Sequence, residues 1–63
     1  MRKASKVYSQ FENENHIYQL EKINDYFFQE VYFTVSDIIG DYYEVFDTFG
    51  EARKDFMRVI KEG

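Results

Sequence analysis

Phe27-Phe28-Gln29-Glu30-Val31-Tyr32-Phe33-Thr34-Val35 is the stretch on which the fold turns. Seven of these nine residues are aromatic or β-branched. Such side chains lose rotamer freedom in a helix and pack well on a pleated surface. Alternation places Phe27, Val31, Phe33 and Val35 on one face and Phe28, Glu30, Tyr32 and Thr34 on the other, which predicts a half-buried strand.

Upstream, His16 to Ile23 reads as a second strand with Tyr18 and Leu20 on one face, and Asn24-Asp25 as the turn that follows it. Glu12-Asn13-Glu14-Asn15 is polar and turn-like, and before it Val7-Tyr8-Ser9-Gln10-Phe11 fits a strand with Val7 and Phe11 on one face. Downstream, Ser36-Asp37-Ile38-Ile39-Gly40-Asp41 connects to a strand from Tyr42 to Phe46. Thr48-Phe49-Gly50-Glu51 then matches a capping box, in which Thr48 accepts from a first-turn amide and Glu51 reaches back. Phe49, Ala52, Phe56, Val59 and Ile60 follow at helical spacing, and Gly63 is the expected helix end. The expectation is a single α+β domain over 1–63: an antiparallel β-meander of three to four strands with one C-terminal helix packed on one face. A three-helix bundle is the rival, because Ile17, Leu20, Phe27, Val31, Val35, Ile38, Tyr42 and Phe46 also approximate a helical stripe. Residue type argues against it.

The chain has 63 residues, no cysteine and one histidine, His16. A single core in so short a chain supplies about 3–5 kcal/mol and usually needs reinforcement. Disulfides and thiolate zinc sites are excluded, and neither a metal nor a cofactor is expected. Asp37 and Asp41 flank Gly40 without the alternating oxygen ligands of a calcium loop, so they read as solvated acids around a turn glycine. Seven Phe and six Tyr provide the core, and they exceed what the domain can easily hide. Surplus tyrosine is common at protein interfaces, so a homodimer is expected. No apolar run approaches the ~20 residues of a membrane span, and no signal-peptide pattern follows the basic start, so cytoplasmic is the default.

Catalysis fails on inventory. Ser5, Ser9 and Ser36 lie in no nucleophile motif, and His16 sits beside a polar turn. The charge, in contrast, is segregated. Residues 1–6 carry Arg2, Lys3 and Lys6; residues 7–52 carry ten acids against Lys22; residues 53–63 carry Arg53, Lys54, Arg58 and Lys61 against Asp55 and Glu62. The acidic middle opposes direct nucleic-acid binding and attracts basic protein surfaces. Carboxylates at alternate positions of a strand lie about 6.6–7 Å apart, close to the phosphate spacing of a DNA strand. Glu12, Glu14, Glu21, Glu30, Asp37, Asp41, Glu44 and Asp47 are the expected acidic surface, with Tyr42 and Tyr43 as its aromatic anchors.

In general character, over its whole length, this small, acidic, aromatic-rich, cysteine-free chain resembles the host-takeover and DNA-mimic inhibitors encoded by bacteriophages. The basic segments at both ends depart from that pattern. The resemblance implies an inhibitor or modulator acting in a host cytoplasm on a basic protein, such as a DNA-binding protein. The alternative is a structural or assembly protein that homo-oligomerises through exposed aromatics.

Overall fold

A computed structural model describes residues 3–62. Four strands, β1 (Lys3–Glu12), β2 (Ile17–Asp25), β3 (Glu30–Asp37) and β4 (Tyr43–Phe46), precede one helix, α1 (Phe49–Glu62). The strands form one sheet in the order β1-β2-β3-β4, each antiparallel to its neighbour. This is the α+β meander expected from the residue types, and the helical-bundle alternative is set aside.

Register explains which side chains meet. Leu20 lies opposite Val35, Tyr18 opposite Phe11, and Phe33 opposite Phe46. Residues directly opposed on neighbouring strands share a face, so these six side chains form one apolar floor. The helix lays Ala52, Phe56 and Val59 onto it, and Leu20, Val35 and Ala52 are almost completely buried. Phe49 closes the near end by edge-on ring contacts with Tyr8 and Phe33.

Two local expectations are corrected. First, the strand expected from Phe27 starts at Glu30, and Phe27 and Phe28 belong to the β2–β3 turn. The Asp25 carboxylate accepts hydrogen bonds from the amides of both residues, at 3.1 and 3.2 Å. This Asx-turn competes with the extended conformation that the side chains favour. Gln29, at φ 55°, completes the reversal in the left-handed region. Second, Val7 and Phe11 lie on opposite faces. Val7 pairs with Glu21 and Phe11 with Tyr18, and a bulge at Tyr8 shifts the register between them. One extra residue re-aims every side chain beyond it.

The helix start follows its sequence signal with one change. The Glu51 amide donates to Thr48 Oγ1 at 3.2 Å, while the Glu51 carboxylate accepts the Thr48 hydroxyl at 3.0 Å. The carboxylate was expected on the Thr48 amide. Gly63, the expected helix end, lies outside the described residues. Thr48→Ala is expected to lower stability by about 1 kcal/mol, the usual worth of such a cap, read as a shifted urea midpoint at constant slope. An unchanged midpoint would remove the cap from the account of the helix.

Candidate partner-binding surface

With one helix on one face, the opposite face of the sheet has no second layer among the described residues. By register it presents Val7 and Gln10 from β1, Gln19, Glu21 and Ile23 from β2, Tyr32 from β3, and Tyr43 and Val45 from β4, while Thr34 of β3, on the same side, is covered to 1% exposure. Tyr43 is 61% exposed and Val45 51%. Exposed apolar groups grouped on one face of a small domain mark a contact surface.

Of the expected acids, Glu12, Glu21 and Glu30 lie on this open face. Glu12 pairs with Ile17 and Glu30 with Asp25, so each carboxylate is offset from the next by one strand and four residues. Strand rise and separation put them on a diagonal with steps of about 14 Å. No strand carries two exposed acids at alternate open-face positions, so the spacing expected within a strand is replaced by one twice as wide. Asp41, Glu44 and Asp47 are exposed along the free β4 edge, next to Tyr43. Glu44, opposite Val35, points to the helix side of that edge. Glu14 is exposed in the β1–β2 turn.

Two expected site residues are structural instead. Asp37 is buried at 6% exposure, so it is neither a solvated acid nor available to a partner. It accepts from His16 Nδ1 at 2.6 Å, from the Ile17 amide at 3.0 Å and from the Ile39 amide at 3.3 Å. Burial acts to raise its pKa, but these donors outweigh it and hold the carboxyl below its ordinary value. Gly40 has no room for a side chain, because a Cβ there would collide with Asp37 Oδ2. Tyr42 is half-buried, and its hydroxyl donates to Asp55 and accepts from Arg58 Nη2. Burial, then the Asp55 carboxylate, pushes its pKa up to about 12. It ties the β3–β4 loop to the helix, which leaves Tyr43 as the exposed ring of the pair.

Sequence reasoning missed Val45 and Val7 as members of the open face. Alternation from Tyr43 would have found Val45, while the bulge hid Val7. It also missed His16 as the partner of Asp37, since 21 residues separate them. Among the described residues no three His, Asp or Glu side chains are grouped so as to hold a metal ion. Nor is any helix among the described residues long and apolar enough to cross a membrane.

No protein-family model matches the chain, and no curated protein or solved structure does so either.

Proposed function

We propose that this chain is a small protein-binding inhibitor or modulator that docks its open sheet face and acidic β4 edge onto a basic protein surface. The observation that carries the reading is the juxtaposition of exposed Tyr43 and Val45 with Asp41, Glu44 and Asp47 at one free edge. None of these three carboxylates is ion-paired with a base among the described residues. The apolar groups supply desolvated contact, and the carboxylates supply steering and partner choice. A surface that normally holds nucleic-acid phosphates is a partner of the right charge, and occupying it would displace the nucleic acid.

A second reading rests on a different feature. Tyr26, Phe27 and Phe28 are each 59–66% exposed at the tip of the β2–β3 hairpin. Aromatic side chains in such a cluster suit self-association, and that association would survive high salt.

Affinity capture from nuclease-treated bacterial lysate at low and high salt tests both readings. The first expects one basic protein, lost at high salt and lost with the triple variant Tyr43→Ala, Glu44→Lys, Asp47→Lys. Retention by that variant would refute the surface. Bait that recovers only itself at both salt concentrations would favour assembly through the hairpin tip.

A further inference from the structure

Where the β1–β2 turn, the β3–β4 loop and the end of the helix meet, they enclose a shallow cleft lined by the rings of His16, Tyr18 and Tyr42 and by Asp41, Glu62 and Arg58. Its aromatic wall is pre-built. His16 stacks on Tyr18 with ring centroids 5.1 Å apart and an interplanar angle of 17°. The bond from His16 Nδ1 to Asp37 fixes the imidazole, and the bonds to Asp55 and Arg58 fix the Tyr42 phenol.

The lining is net negative. Arg58 is its one guanidinium, and that charge is already matched: Arg58 donates to Asp55 Oδ1 through both Nε and Nη2 and to Glu62 Oε1 through Nη1. Asp41 is exposed, with no ion pair among the described residues. Glu62 gives one oxygen to Arg58, which leaves Oε2 available. The fixed Tyr42 ring beside unpaired Asp41, with one Glu62 oxygen left over from its pair with Arg58, favours an organic cation, through the ring quadrupole and charge-assisted hydrogen bonds together. A planar guanidinium uses both and is more weakly hydrated than an ammonium.

We propose that this cleft is a receptor for an arginine side chain of the basic partner, seated against His16 and Tyr42 with its guanidinium on Asp41 and Glu62. This deepens the protein-binding reading, on which it rests, by locating one anchor at the end of the sheet adjoining the acidic edge. Asp41 is the principal acceptor and Glu62 the second. Asp37, beneath the cleft, holds the wall in place.

The test is a titration of the ¹⁵N-labelled protein with acetyl-arginine amide, with the citrulline and lysine analogues run alongside. Citrulline keeps the shape of arginine and lacks its charge. Saturable amide shifts at His16, Gly40, Asp41 and Val59 are expected with arginine, with weaker binding of lysine and no saturable shifts with citrulline. The double variant Asp41→Asn, Glu62→Gln should weaken arginine binding about tenfold or more, the usual cost of losing charge-assisted hydrogen bonds. Arg53→Gln, exposed near the start of the helix and outside both the cleft lining and the open face, should leave it unchanged. Equal response to citrulline, shifts scattered over the surface, or full binding by the double variant would overturn the cleft assignment. The titration contains no partner protein. Arginine binding without a captured protein would therefore refute the protein-binding reading alone, and capture without arginine binding would refute the cleft alone.

Discussion

Phe56→Ala is expected to leave the domain largely unfolded at room temperature. Phe56 is 6% exposed and lies in the core formed by the helix with β2 and β3. Removing a buried Phe side chain costs about 3–5 kcal/mol, through lost transfer free energy and the cavity left behind. A single core in a chain this short supplies about the same amount. No disulfide stands in reserve, because the chain has no cysteine. Urea unfolding followed by circular dichroism measures the loss, and Phe56→Leu, which refills part of the space, should fall between the variant and the parent. A well-folded Phe56→Ala protein with a midpoint close to the parent's would mean that the helix does not contribute the core contacts described above.

The second large effect is expected at Asp37 and depends on pH. Its carboxyl is held below its ordinary value in the folded state, so the folded protein binds fewer protons there than the unfolded chain. The stability it contributes is fully present above the unfolded pKa of about 3.9 and is lost as the pH falls through the depressed folded value. Asp37→Asn should therefore be less stable at neutral pH and should lose this part of the acid transition. Amide exchange at Ile17 and Ile39, whose N–H groups donate to Asp37, should accelerate more than exchange in the middle of β2. Gly40→Ala should reproduce the exchange signature, because its Cβ displaces the same carboxylate. An acid transition identical in parent and Asp37→Asn would show that the carboxylate is not a linchpin of this junction.

Several features were legible in residue order because they depend on near neighbours. Thr48 and Glu51 are three residues apart, and their cap is decided within one helical turn. Ala52, Phe56 and Val59 share a stripe because the helical period puts them there. Val31, Phe33 and Val35 alternate for the matching reason in a strand. The two misplacements arose where a backbone device interrupts the period. At Phe27 and Phe28 a hydrogen-bonding aspartate overrides side-chain preference, and at Tyr8 a bulge changes the register without any mark in composition.

The candidate surface was legible only as a collection of acids. Eight carboxylates were named, and sequence order treats them alike. Folding puts Glu12, Glu21 and Glu30 on a diagonal across three strands, aligns Asp41, Glu44 and Asp47 on a free edge, and buries Asp37 under backbone amides. Tyr42 and Tyr43 are adjacent in the chain, yet one is bonded to the helix and the other faces outward, because successive residues of an extended segment point to opposite sides.

By itself, the sequence determined the class of fold, the helix cap and the sign of the charge, since each follows from local spacing or simple composition. Which acids are free, which tyrosine is exposed and how His16, Tyr42 and Asp41 come to line one cleft were decided only by the tertiary structure. Those relations join groups that are 20 or more residues apart, such as His16 and Asp37, or turn on side-chain direction, as with Tyr42 and Tyr43. Burial and register, which assign them, come into being only when the strands pair and the helix docks.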